Sequence, residues 1–105
     1  MFPLNGDFSD EASIPDTTLI GGNVLARIPG KTAKTIVITG HIDHLGIRNG
    51  QIYNGADDDA SGTIALLAIA DYFKDKQPEH TLVLAAVDAE EIGSHGCQYL
   101  SLIHI

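Results

Sequence analysis

The sequence predicts an α/β fold: a three-layer sandwich with a mostly parallel central sheet and helices on both of its faces. Two apolar segments, residues 35–39 and 81–87, lack the alternation of a half-exposed strand and are typical of buried strands. A segment with helical periodicity lies between them. A strand, helix and strand in this order normally give two parallel strands joined by a right-handed crossover.

The first part of the chain is less regular. Residues 1–20 are poorly patterned, and we expect a loop or linker there. Residues 23–28 are apolar and partly β-branched, which predicts a strand, and Pro29 and Gly30 end it. Residues 47–53 contain Asn49-Gly50, a pair that favours the tight turn of a β-hairpin.

The best helix candidate begins at Ser61 and ends near Lys76, with Pro78 just beyond it. Its apolar residues at helical spacing are Ile64, Leu67, Ala68 and Tyr72. The acidic residues 57–59 and Ser61 offer groups that can cap its N-terminus. A further helix is expected to begin within residues 93–96.

Composition excludes several classes of function. The chain has 105 residues, with 6 basic and 14 acidic side chains and a net charge of −8, which argues against binding nucleic acid or an anionic membrane. No apolar run approaches the ~18 residues that a membrane-spanning helix needs. The single cysteine, Cys97, excludes an internal disulfide and a cysteine-rich zinc site. No N-terminal export signal is visible.

The acidic residues are clustered. Half of them lie in three short stretches that contain no basic residue: Asp43; Asp57, Asp58 and Asp59; and Asp88, Glu90 and Glu91. Two of these stretches directly follow the predicted strands, and the third precedes the helix that connects them. Because the carboxyl ends of parallel strands lie at one edge of a sheet, we expect the three stretches to meet there.

A histidine joins these acids, because His41 also follows the first buried strand. Histidine with Asp and Glu suits zinc, manganese or cobalt, and disfavours calcium. Several carboxylates can also bridge two metals ~3.5–4 Å apart. Each feature alone has an ordinary explanation: a structural histidine, a helix cap, a solvated Glu pair. Their coincidence at one sheet edge favours a metal site.

Three ordered motifs, at residues 41–46, 54–62 and 88–93, carry a resemblance to a known family. The motifs read His-Ile-Asp-His-Leu-Gly, Asn-Gly-Ala-Asp-Asp-Asp-Ala-Ser-Gly and Asp-Ala-Glu-Glu-Ile-Gly. They resemble the zinc peptidases of the aminopeptidase Y and bacterial leucyl aminopeptidase type, a broad family that includes glutamate carboxypeptidase II. The likeness extends over about residues 23–99 and implies that residues 21–99 are the N-terminal fragment of a zinc-exopeptidase-like catalytic domain.

The resemblance implies a role for each motif position. His41 would bind one of two zinc ions, Glu91 would bind the other, and Asp58 would bridge both. Catalytic roles fall to Glu90, as the general base toward water, and to Asp43, as a partner that hydrogen-bonds the His41 ring and fixes its tautomer. Manganese or cobalt could replace zinc.

Some assignments stay open at this point. The bridging acid is chosen by counting back from Ser61, so Asp57 is the alternative to Asp58. The resemblance also implies a cis peptide bond between Asp58 and Asp59. His44 is expected to make a local hydrogen bond rather than to bind metal.

The resemblance implies two further metal ligands, one acidic residue and one histidine, that the sequence does not supply. The later histidines, His95 and His104, sit in no matching motif. We therefore expect the full-length protein to cleave N-terminal peptide bonds and this fragment to be inactive. Two alternatives are a carboxypeptidase or amidohydrolase with the same site, and a non-catalytic, receptor-like relative. Peptides are the expected substrates, and a secreted or periplasmic location is plausible for the family.

The last six residues, 100–105, have a second interpretation. This hexapeptide can be encoded by the end sequence of a transposon that is widely used to prepare DNA libraries, which suggests translated adapter. The alternative is an apolar continuation of the last helix.

Overall fold

A computed structural model of the chain describes residues 2–4 and 19–104. The strands are β1 (Phe2–Leu4), β2 (Leu19–Gly21), β3 (Val24–Ile28), β4 (Thr32–His41), β5 (Gly46–Arg48), β6 (Gln51–Tyr53) and β7 (His80–Val87). The helices are α1 (Ser61–Phe73) and α2 (His95–His104). An irregular turn, Ala56–Ala60, precedes α1. No helix in this part of the chain is long and apolar enough to cross a membrane.

The main sheet has the strand order β3-β7-β4. β4 and β7 are parallel and α1 connects them, so the predicted crossover unit is confirmed. β3 pairs antiparallel with the other side of β7. The described sheet is therefore small and mixed rather than mostly parallel. β3 and β4 lie on opposite sides of β7, and they run in opposite directions.

The two helices approach the sheet from different faces. A Cβ atom on Gly40 of β4 would lie 3.1 Å from the carbonyl carbon of Gly62, so α1 crosses close to that face. Leu100 of α2 instead clusters with Ala85 and Val87. Gly40 is level with Ala86, and neighbouring strand residues point to opposite faces, so the two contacts lie on opposite sides of the sheet.

β7 forms the centre of the core, as its apolar sequence predicts. Its buried residues are Thr81, Leu82, Leu84, Ala85 and Val87. The same expectation is wrong for β4, where Ile36 is 46% exposed and Val37 52% exposed. In the described sheet β4 is an edge strand, and Leu100 packs over β7 rather than over β4.

Helix α1 is confirmed, but it presents a different face to the sheet. The apolar residues that predict the helix point outward: Ile64, Leu67 and Tyr72 are 60–62% exposed. Leu66 is buried instead. The close approach of Gly62 to β4 fixes the rotation of the helix, and Leu66 lies about one turn further along the same side.

The N-terminal region differs from the expected loop where it is described. β1 pairs antiparallel with β2, because backbone hydrogen bonds can join short strands without an alternating side-chain pattern. The expectation for residues 5–18 lies outside the described residues. The hairpin β5–β6 is confirmed, with positive φ angles of 52° at Asn49 and 73° at Gly50. The adapter interpretation of residues 100–105 stays a prediction.

Candidate metal centre

Three loops meet at one edge of the main sheet. His41, the last residue of β4, is level with Val87, the last residue of β7. The backbone N–H of Ile42 donates to the Val87 carbonyl at 2.9 Å, so the segments that follow the two strands begin side by side. The turn before α1 lies against this edge through contacts with β4. The arrangement agrees with the meeting of the acidic stretches expected from parallel strands.

His41 is the central side chain of the site, only 11% exposed. Its Nδ1 lies 2.9 Å from the backbone carbonyl oxygen of Asp43. A carbonyl oxygen only accepts, so Nδ1 carries a proton in this contact. The carboxylates next to Nε2 also only accept, so without metal Nε2 donates too, and a bound metal would take the place of that second proton. Nε2 lies 2.9 Å from Asp58 Oδ1 and 3.9 Å from Glu90 Oε2.

Asp43 holds the loop that carries the two glutamates. Its Oδ1 accepts the backbone N–H of Glu90 at 3.0 Å, and its Oδ2 accepts that of Glu91 at 3.1 Å. The Asp43 carboxylate is also 3.5 Å from Nδ1 of His41. The predicted contact with the His41 ring is therefore made mainly by the Asp43 backbone carbonyl, while its carboxylate positions Glu90 and Glu91.

The three consecutive aspartates have different surroundings. Asp58 directs its carboxylate to His41. Asp59 turns the other way: its Oδ2 accepts the His41 backbone N–H at 3.0 Å, and its Oδ1 accepts that of Gly62 at 2.9 Å. Asp57 is exposed, and its backbone carbonyl accepts from the Ser61 hydroxyl. The peptide bond between Asp58 and Asp59 is cis, as the resemblance implies.

His41, Glu90 and Glu91 form a group that could hold a metal ion, because each offers one ligand atom within 4.8 Å of the others. Zinc lies about 2.0–2.2 Å from nitrogen and carboxylate ligands, so two ligands of one ion lie within about 4.4 Å of each other. Small side-chain rotations therefore suffice to close the group around an ion. The nitrogen and oxygen donors suit zinc, manganese or cobalt.

Negative charge is in excess at this site. Burial lowers the pKa of His41, but the Asp43 carbonyl, the Asp58 carboxylate and the charge of Glu90 together raise it above its usual value. Burial raises the pKa of Glu91, and the nearby charges of Asp58 and Glu90 raise it further. A bound cation would relieve this repulsion, since it favours the charged form of every carboxylate around it.

Other predicted residues lie outside the centre or support it. His44 makes a local hydrogen bond, in which its Nδ1 accepts the Gly46 N–H at 3.0 Å, as expected. Asp88, counted among the clustered acids, is not directed at the metal group. Its carboxylate accepts the backbone N–H groups of Gly22 and Ala89 and so fixes the start of the glutamate loop.

Asn23 has a structural role that the sequence reasoning missed. Its Oδ1 accepts the Asp88 N–H at 3.1 Å, and its Nδ2 donates to the Gly96 carbonyl at 2.8 Å. The side chain thus ties both ends of the loop that carries Glu90 and Glu91. No local signal marks Asn23, because its partners are more than sixty residues away in the sequence.

The chain is similar to known peptidases. The model of peptidase family M28 matches residues 23–102. A "probable zinc metalloprotease" from Pyrenophora tritici-repentis is 38% identical over 87 residues, which cover 75% of this chain and 17% of that protein. Leucine aminopeptidase 1 from Aspergillus oryzae is 34% identical over 84 residues, covering 72% of this chain and 22% of that protein.

A more distant relative is the vacuolar membrane protease of Kluyveromyces lactis, 31% identical over 94 residues that cover 85% of this chain and 10% of that protein. No solved structure matches the chain significantly. The chain thus spans a small part of each of these relatives. The family match covers all three motifs of the candidate metal centre, and the chain therefore belongs to peptidase family M28.

Proposed function

We propose that this chain is part of the catalytic domain of a zinc-dependent aminopeptidase, which hydrolyses N-terminal peptide bonds at a site with two zinc ions. The observation that carries the proposal is the convergence of His41, Glu90 and Glu91, which offer ligand atoms within 4.8 Å of one another, beside Asp58 at 2.9 Å from His41. His41 and Glu91 are the proposed metal ligands from this group, and Glu90 is left as the base. The relatives named as zinc metalloprotease and leucine aminopeptidase support the metal and the substrate class. The complete domain would be a three-layer sandwich.

In this proposal the chain supplies three metal ligands. His41 and Asp58 would hold one zinc ion, and Glu91 would hold the second together with Asp58. His41 Nε2 and Asp58 Oδ1 lie 2.9 Å apart, a hydrogen-bond distance, so the two groups already face each other and would separate slightly to take a common ion. Bound zinc polarises the scissile carbonyl and lowers the pKa of the attacking water. The remaining ligands would come from other parts of the full-length protein.

Glu90 would act as the general base. Its side chain is 44% exposed, so water can reach it, and its Oε2 lies 3.9 Å from His41 Nε2. The Ser94 hydroxyl is 3.4 Å from its Oε1 and helps to orient the carboxylate. Glu90 takes a proton from the attacking water and delivers it to the leaving amine after the peptide bond breaks.

Asp43 would be a positioning residue for this chemistry. It accepts the backbone N–H groups of both glutamates and supports the tautomer of His41 that leaves Nε2 free for metal. A ligand-supporting partner of this kind raises the basicity of the imidazole and holds its ring in place.

The test is hydrolysis of amino-acid anilides by the complete gene product, with and without a chelator. We expect activity that the chelator removes and added zinc restores. In the same protein Glu90→Gln should abolish turnover while zinc content stays nearly intact. Activity that resists the chelator would refute the metal-dependent mechanism, and loss of zinc in Glu90→Gln would show that base and ligand are exchanged. The 105-residue chain by itself should bind metal weakly and lack useful catalysis.

A further inference from the structure

The glutamate loop, residues 88–96, has an unusual backbone. Ala89, Gly93 and Ser94 have positive φ angles of 59°, 120° and 54°. Glycine adopts such angles freely, but a residue with a side chain does so at a cost of about 1–3 kcal/mol and needs support from its surroundings. Ala89 directly precedes Glu90, and the Ser94 hydroxyl lies 3.4 Å from Glu90 Oε1. The direction of the Glu90 carboxylate therefore depends on a loop whose shape must be held by other contacts.

Both ends of this loop contact the side chain of Asn23. The backbone N–H of Asp88 donates to Asn23 Oδ1 at 3.1 Å, and Asn23 Nδ2 donates to the Gly96 carbonyl at 2.8 Å. The Gly96 N–H donates to the Asp88 carbonyl at 3.0 Å, which completes a ring of three hydrogen bonds at the base of the loop. The backbone next to Asn23 is also fixed, because the Gly22 N–H donates to the Asp88 carboxylate at 3.0 Å.

The two contacts need one donor and one acceptor on the same side chain. The Asn23 amide has both groups, whereas an apolar side chain has neither and a carboxylate only accepts. Gly96 is buried, and a Cβ atom on it would overlap Asn23 Oδ1 and the Asp88 backbone. Close packing at this junction therefore keeps the Asn23 amide in place, and its loss leaves the Asp88 N–H and the Gly96 carbonyl without these partners.

We propose that Asn23 is a positioning residue for the metal centre, because it holds the glutamate loop in the shape that presents Glu90 and Glu91 there. The inference rests on the proposed function for the roles of the two glutamates. Asp43 holds the middle of the loop through the N–H groups of both glutamates, and Asn23 holds its two ends. The positive φ angles and the ring of hydrogen bonds are separate observations that concern the same loop.

Thr81 provides a matched control at the other end of β7. Its hydroxyl also joins two segments, since it accepts the Gly30 N–H at 3.1 Å and donates to the Thr32 carbonyl at 3.2 Å. Thr81→Val removes both hydrogen bonds and keeps the branched shape of a buried side chain. Asn23→Leu likewise removes two hydrogen bonds and keeps a branched shape, but at the glutamate loop.

The first measurement is zinc affinity of the full-length protein, by competition with a chromophoric chelator. Asn23→Leu should weaken zinc binding about 10-fold, at the lower end of the range for residues that support metal ligands. Thr81→Val should lower the unfolding temperature but leave zinc affinity unchanged. Unchanged affinity in Asn23→Leu, or an equal loss in Thr81→Val, would overturn the inference. Asn23→Ala is the second variant, with the same expected direction, should Asn23→Leu fold poorly.

Hydrogen exchange followed by mass spectrometry tests the loop directly in the full-length protein. In Asn23→Leu, exchange should accelerate in residues 88–96 and not in β7. In Thr81→Val, the loop should exchange as in the unchanged protein. Equal acceleration of the loop and β7 in Asn23→Leu would show a general loss of stability and refute the positioning role.

The catalytic readout separates this inference from the proposed function. At saturating zinc, Asn23→Leu should lower kcat for amino-acid anilides and leave KM nearly unchanged, because Glu90 acts on water rather than in substrate binding. A rise in KM alone would contradict the assignment. If the full-length protein hydrolyses nothing, the proposed function fails, whereas zinc affinity and hydrogen exchange still decide the role of Asn23.

Discussion

The Asp43 carboxylate offers the sharpest test of how the site is organised. It accepts two backbone N–H groups, from Glu90 and Glu91, at 3.0 and 3.1 Å. In Asp43→Asn the amide oxygen can keep one of these bonds, but the new NH₂ group faces the other N–H donor. The variant therefore loses one charge-assisted hydrogen bond and places two donors against each other while the side chain keeps its shape.

The expected magnitude follows from that geometry. A hydrogen bond to a charged group contributes about 1.5–3 kcal/mol. If this free energy serves to hold Glu91 and His41 in place for metal, its loss weakens zinc binding about 10–100-fold, because about 1.4 kcal/mol corresponds to a factor of ten. Removal of a side chain that supports a metal ligand typically lowers metal affinity by about 10–100-fold, which is the same range.

The assay is zinc affinity of the full-length protein, measured by competition with a chromophoric chelator. Asp75→Asn is the matched control, since Asp75 is an exposed acid that follows α1, away from the site. We expect Asp43→Asn to weaken binding and Asp75→Asn to leave it unchanged. An affinity for Asp43→Asn equal to that of the control would refute the view that Asp43 positions the ligands.

Three other predictions concern the rest of the chain. Folding raises the pKa of Glu91 above 4.5 through burial and neighbouring carboxylates, and that of His41 above 6.5, despite burial, through contacts with Asp43, Asp58 and Glu90. The folded chain therefore holds these protons more tightly than the unfolded chain, and its stability falls as pH rises through their titration. The urea midpoint of the metal-free chain should fall between about pH 5 and about pH 8, and zinc should restore it; a midpoint that rises contradicts this. Gly62→Ala should lower stability by about 1–3 kcal/mol in thermal unfolding, because its Cβ would overlap the Asp59 carboxylate, whereas Gly22→Ala has open space. Val37→Lys on the exposed edge strand β4 should reduce self-association measured by light scattering. An unchanged particle size would count against strand pairing between molecules at this edge.

Much of the fold could be predicted because its elements have strong local signals. Three segments have a local sequence pattern that is typical of one kind of element. They are the apolar strand at 81–87, the Asn49-Gly50 turn and the helix that begins at Ser61. The face of α1 could not be predicted in this way. Residues 64–70 are all apolar, so the helix has no unique apolar side, and the contact of Gly62 with β4 decides which side is buried.

By itself the sequence determined which residues can meet at the candidate centre. The parallel strands β4 and β7 end level with each other, and the residues that follow them, His41 with Asp43 and Glu90 with Glu91, must lie at one sheet edge. Only the tertiary structure decided how each group is used there. The Asp43 carboxylate binds the glutamate loop 47 residues away, and contacts at that separation depend on the packing of whole elements rather than on local sequence. The same holds for the exposed face of β4, because burial of a strand depends on which elements pack over it.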